Sequence, residues 1–184
     1  MQTIEPLMPW YMGPDHPRWT ETLRDHRQVL LRPIERQDAQ AERDFIEALS
    51  PESRRARFLC QMNSPGEALI DSLTDIDYVN DVAFIAVVHD DGRDRIVGAC
   101  RYAVGSDPAE CEVAVSVLDD WQEQGLGTAM MRHLIDVARD RGIKRMVSED
   151  SAENLEMRDL AHHLGFHTKA SADDPSMVVH TLTL

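Results

Sequence analysis

Cysteine is scarce: Cys60, Cys100 and Cys111 are the only three in 184 residues, and no two form a C-x-x-C pair. An odd number leaves one thiol unpaired in any disulfide scheme, so reduced thiols are expected and a structural zinc site is not. No metal of any kind is expected. Long apolar runs are also missing. The longest, such as Val82 to Val88, fall far short of the roughly 20 residues that a membrane-spanning helix requires, so no membrane association is expected. The N-terminus carries Glu5, Asp15 and several prolines where a secretory signal would place a basic end and an apolar run, which points to the cytoplasm. Basic residues are few: 19 Lys and Arg face 33 Asp and Glu, a formal charge of −14. That charge repels a phosphate backbone and argues against nucleic acid as a partner. It favours a cationic partner, although an acidic surface can also serve solubility alone.

What is present suits one globular domain, because 184 residues at 42% hydrophobic content fill one core and are few for two. Residues 1 to 26 mix Pro9, Gly13, Pro14 and Pro17 with Trp10, Tyr11 and Trp19 and show no period. They read as an extension packed on a domain of residues 27 to 184. A strand is expected at Gln28 to Arg32. Asp38 then offers a cap for a helix with apolar Ala41, Phe45, Ala48 and Leu49, which Ser50-Pro51 closes. A second helix is expected around Glu67 to Leu73. Strands at Val82 to Val88 and Arg95 to Val104 flank Asp91-Gly92, a hairpin signal.

Glu110 to Leu118 alternates, with Cys111, Val113, Val115 and Val117 on one face and Glu112, Ala114, Ser116 and Leu118 on the other. A helix from Thr128 to Arg141 carries Met130, Met131, Leu134, Ile135 and Ala138 at helical spacing and stops at Gly142. A strand at Ile143 to Glu149, a helix from Asn154 to Leu164 and a strand at Met177 to Leu184 complete the chain. A meander followed by alternation with helices implies a mixed α/β sheet with helices on its faces.

The segment with most chemical content is the strand-loop-helix junction Gln122-Glu123-Gln124-Gly125-Leu126-Gly127-Thr128. Unpaired backbone N–H groups and the positive end of the helix dipole make such a junction an anion site. Gly125 and Gly127 keep side chains away from those donors, and Thr128 adds a hydroxyl. A tight turn needs the same glycines. Two other phosphate loops are excluded, since no Walker lysine is present and Met130 stands where a dinucleotide fingerprint needs a third glycine.

Gln122-x-x-Gly125-x-Gly127 after the strand Glu112 to Val117 resembles the Q/R-x-x-G-x-G/A acyl-CoA signature of the GNAT superfamily of N-acetyltransferases. Asn154, Met157, Leu160, Leu164 and Gly165-Phe166 are similar to its second cofactor segment, which usually ends in L-G-F. The resemblance covers residues 28 to 184. Ala48 to Arg54 and Asp77 to Asp81 most resemble the catalytic domain of Pat-type bacterial protein lysine acetyltransferases. The resemblance implies a mostly antiparallel sheet of about six to seven strands, about four helices and a splayed strand pair at the cofactor site.

It further implies acetyl-CoA as co-substrate, held by Gln122, Gln124, Gly125, Leu126, Gly127 and Thr128, by the backbones of Val115 and Val117, and by Asn154. Asn154 also suits a helix N-cap. The acceptor would be a primary amine, on a protein lysine or a small molecule, and the enzyme a monomer or homodimer. A lysine-like amine with pKa about 10.4 is neutral in about one molecule in 2,500 at pH 7, which costs about 4.6 kcal/mol, so a base is required. Glu112 occupies the position where the family often places one. The tyrosine that usually protonates the departing thiolate is replaced by Ala161. Of the adjacent His162 and His163, at most one faces the cleft, because consecutive helix residues point about 100° apart. The alternatives are a small-amine acetyltransferase and a CoA-binding module without turnover.

Overall fold

A computed structural model of the chain describes residues 17–184. The expected extension therefore lies largely outside the described residues, Trp10 and Tyr11 included. Its end forms an edge strand, β1 (Trp19–Thr22), which pairs antiparallel with β2 (Gln28–Pro33). Trp19 meets the Phe84 ring edge-on at 5.2 Å and stacks on His133 at 4.2 Å, the packing expected of this residue.

Three helices follow: α1 (Ala39–Ala48), α2 (Pro51–Phe58) and α3 (Glu67–Thr74). Ser50-Pro51 does not merely end α1. It opens α2, because Pro51 takes the first helical position, where its missing N–H is not needed, and the Ser50 hydroxyl accepts from the Ser53 amide. Asp38 stands ahead of α1 without capping it. Its carboxylate takes two bonds from the buried Arg32 guanidinium, at 2.8 and 2.7 Å, and one from the Glu35 amide. The inward stripe of α1 is Glu42, Phe45, Ile46 and Leu49, while Ala48 faces solvent.

The hairpin of β3 (Asp81–Asp90) and β4 (Arg93–Val104) turns at Asp91 (φ 47°) and Gly92 (φ 76°). Two successive left-handed residues in a two-residue loop are what Asp-Gly favours. After β5 (Glu110–Val117) come α4 (Leu126–Asp140), β6 (Arg145–Ser151) and α5 (Leu155–His163). The chain closes with β7 (His167–Ala170) and β8 (Met177–Thr183). The sheet order is β1-β2-β3-β4-β5-β6-β8-β7, and β5–β6 is its one parallel pair among the described residues. This is the mixed, mostly antiparallel GNAT-like fold, with eight strands and five helices. The added elements β1, α2 and β7 are short and lack an apolar period of their own.

Alternation along β4 and β5 assigns the two faces. Gly98 backs onto α4, where an added Cβ would lie 2.8 Å from Met130 Sδ and 3.3 Å from Leu126 Cδ2, both fully buried. Gly98→Ala should therefore cost about 1–3 kcal/mol by overpacking, read as a lower urea midpoint with unchanged slope. Ala99, Ala114 and Ser116 face α1 and α2 instead.

Candidate active site

The sheet opens at its parallel pair. β5 and β6 are in register only from Glu110–Arg145 to Glu112–Val147. Beyond that rung β5 stays with β4 up to Val117, whereas β6 follows β8 up to Ser151. The Leu118 amide donates to Val97 O, on the β4 side. By strand alternation the backbones of Ala114 and Ser116 also turn to β4, and those of Val113, Val115 and Val117 turn to the gap. Val117 O accepts there from Gln122 Nε2 at 3.1 Å.

At the far end of β5 a short turn, Asp119–Trp121, leads through Gln122 into the junction. Gly125 has φ +88° at the N-cap of α4 and no side chain caps the helix. The first bond of α4 runs from the Ala129 amide to Gly125 O at 3.0 Å, so the amides of Leu126, Gly127 and Thr128 precede the ladder. A side chain at Gly127 would meet Leu160 and Val117, at 3.5 and 3.8 Å, so the glycine also lets α5 approach β5.

The turn between β1 and β2 holds this loop in place, which the sequence did not disclose. The Arg24 amide donates to Gln124 O at 3.1 Å and its guanidinium to Glu123 O at 3.2 Å. Arg27 donates to Asp120 O at 3.0 Å and covers the Trp121 ring at 3.7 Å. These contacts join residues about a hundred positions apart, so no local signal could have found them. Beside the loop lies a cleft of about 560 Å³ lined by Arg24, Gln124, Gly125, Thr128, Arg132 and His163. Of the adjacent pair, His163 and not His162 lines this cleft, together with His133. Ala161 is buried.

Asn154 is engaged as a cap: its Oδ1 accepts from the Met157 amide at 3.1 Å and its Nδ2 donates to Asp150 at 3.0 Å. Burial holds the Asp150 carboxyl above its ordinary value, partly offset by the Ser151 amide and Asn154. Glu112 is exposed on the last paired rung, in register with Ala103 and Val147, where the strands begin to part.

The face that Glu112 shares with Ser116 carries two charged groups not anticipated from sequence. Glu42, only 5% exposed, has burial pushing its carboxyl up to about 7, against Arg57 and Arg101. Its Oε2 has no hydrogen-bond partner. Arg57 is pushed down to about 10, by burial and then by Arg101, with Glu42 and Glu112 acting in the opposite sense. The available signal was an acid at i of an i, i+3, i+4, i+7 apolar stripe, where a carboxylate must be desolvated.

A raised carboxyl pKa makes the folded state bind more protons than the unfolded one between about 4.5 and about 7, so stability falls as pH rises through that window. Glu42→Gln removes this dependence. The variant should gain up to about 3 kcal/mol over wild type at pH 8 and little at pH 5, in urea melts at both values.

The sequence profile of the acetyltransferase (GNAT) family matches residues 43–166. The chain belongs to this family and is an acetyltransferase. It is 48% identical to Acetyltransferase PA5475 of Pseudomonas aeruginosa over 170 residues, 92% of this chain and 90% of that one. Its catalytic domain is Pat-like. The crystal structure of the GNAT domain of S. lividans PAT superposes with a TM-score of 0.84 at 27% identity, covering 94% of this chain and 99% of that one. Acetyltransferase Pat of Mycolicibacterium smegmatis is 28% identical over 136 residues, 73% of this chain but 40% of its own length. The family generally uses acetyl-CoA and an acceptor amine. Among the described residues no helix is long and apolar enough to cross a membrane.

Proposed function

We propose that the chain transfers the acetyl group of acetyl-CoA to a protein lysine, with Glu112 as general base. The supporting observation is the alignment of an uncapped helix N-terminus with a parted strand pair. The pyrophosphate takes the amides of the Gln124 to Thr128 segment, with Gln122 bracing the loop against Val117 O. The pantetheine arm lies in the gap against the Val115 and Val117 backbones, and Asn154 borders it at the start of α5. The adenosine end takes the cleft beside Arg24 and Arg132.

The thioester then lies within reach of the Glu112 face. Glu112 removes a proton from the lysine ammonium, the freed lone pair attacks the thioester carbon, and the C–S bond breaks as the nitrogen gives up its second proton. Backbone amides polarise the carbonyl oxygen. Ala161 carries no proton to give, so the thiolate draws one from solvent. The Pat-like catalytic domain supports lysine as acceptor. Cys100 and Cys111, both buried with thiols pushed up to about 12, suit a reducing cytoplasm.

Lysine-containing proteins and small polyamines offered with acetyl-CoA, scored by thiol release and mass spectrometry, test the assignment. Mass increments on lysine are expected. Activity confined to small amines would overturn the lysine acceptor and leave acetyl transfer standing.

A further inference from the structure

Between α1, α2 and the sheet lies a cavity of about 20 Å³ whose lining includes Glu42, Phe45, Arg57, Phe58 and Ser116. A single water needs about 10–15 Å³ and two to four polar partners. The lining supplies them. Glu42 Oε2 and Ser116 Oγ are both buried and without a hydrogen-bond partner. The Arg57 guanidinium stacks 4.8 Å from the Phe58 ring, and no carboxylate among the described residues pairs with it. Native interiors leave few polar groups unpaired, and two around one cavity of this size, with the Arg57 cation in the same lining, mark a site for a polar occupant.

Its position bears on catalysis. Ser116 sits between Val115 and Val117, whose backbones border the gap, so the strand that forms that edge also contributes to the cavity lining. We infer that Glu42 is a second proton acceptor in acetyl transfer, reached from the acceptor nitrogen through one water held between its Oε2 and the Ser116 hydroxyl. The inference rests on the acetyl-transfer reading above. The acceptor nitrogen enters as an ammonium and leaves as an amide N–H, so it loses two protons. Glu112, at the exposed mouth, takes the first before attack. The second leaves the nitrogen as the C–S bond breaks; the water accepts it and gives one of its own protons to the Glu42 carboxylate. CoA departs as a thiolate and takes a proton from solvent, and Glu42 returns its proton through the same water.

The charges facing Glu42 suit this exchange. Arg57 from α2 and Arg101 from β4 favour the ionised form, whereas burial and Asp38, just ahead of α1, oppose it. The balance lies near neutrality, where a carboxyl both takes and releases a proton readily. Arg57 lies in the field of both carboxylates, since Glu42 and Glu112 each favour its charged form.

The test compares wild type, Glu42→Gln, Glu42→Asp and Arg57→Met by kcat from about pH 5.5 to about 9, with acetyl-CoA affinity measured alongside. Wild type should show a rising limb centred near neutral pH. Glu42→Gln should lose that limb and about tenfold in kcat with acetyl-CoA affinity unchanged, because a mispacked protein would lose both. Glu42→Asp should keep the limb. Arg57→Met should move it to higher pH, since the cation favours the ionised form. A wild-type limb in Glu42→Gln, or a limb that ignores Arg57→Met, overturns the inference and leaves acetyl transfer intact. Wild type that binds acetyl-CoA but releases no thiol with any amine overturns the acetyl-transfer reading, and the inference falls with it.

Discussion

Glu112→Gln should lower turnover by about 10²–10⁴-fold while acetyl-CoA binds as tightly as to wild type. The change keeps size and shape and removes only the basic lone pair, at an exposed site where packing is not at stake. Glu112 stands on the last rung before β5 and β6 separate, next to the gap proposed for the thioester and apart from the Val115 and Val117 backbones proposed to hold the pantetheine arm. Affinity and turnover should therefore part. In free-energy terms the loss is about 3–5 kcal/mol, comparable with the cost of presenting a neutral lysine at pH 7. Calorimetric titration with acetyl-CoA and a thiol-release assay give the two numbers separately. Turnover within a few-fold of wild type would retire Glu112 as the base.

Gly125→Glu should abolish thermal stabilisation by CoA. Gly125 has φ +88°, where an L side chain costs about 1–2 kcal/mol, so some loss of intrinsic stability is expected from any substitution. The carboxylate adds a second effect, because it stands at the helix N-terminus where the pyrophosphate would lie and its Cβ comes 3.8 Å from Arg24 Nε. Like charges repel, and the new acid pairs with Arg24. A ligand at about one hundred times its Kd contributes about 2.7 kcal/mol, several degrees in Tm, and that increment should vanish. Gly125→Ala separates the causes: it carries the strain without the charge and should keep most of the CoA response. A full response in Gly125→Glu would contradict a pyrophosphate at this loop.

The legible parts of the chain were those with local physical signatures. Asp91-Gly92 announced a two-residue hairpin because few dipeptides tolerate two left-handed residues in succession. The apolar spacing of Met130, Met131, Leu134 and Ile135 marked α4, and all four are buried. The junction from Gln122 to Gly127 does lie between β5 and α4. By contrast, β1 and β7 are four-residue edge strands ordered by their neighbours, and α2 has no buried residue to give it a stripe. Asp38 looked like a cap because nothing nearby shows that a buried Arg32 needs its carboxylate more.

The sequence alone therefore determined the chain's family, the strand-loop-helix junction with its two glycines, and the exposed carboxylate on the strand that leads to it. Each is encoded within a few neighbouring residues, where backbone conformation and alternation are set. Tertiary structure decided what surrounds them: the turn carrying Arg24 and Arg27 that braces the junction, the parting of β5 from β6, and the burial of Glu42 beside Arg57 and Ser116. Those features depend on contacts between distant segments, and on the low polarity that arises only once α1 and α2 close over the sheet. A glutamate in an apolar stripe is an anomaly in the sequence; the fold turns it into a carboxyl that burial pushes up to about 7.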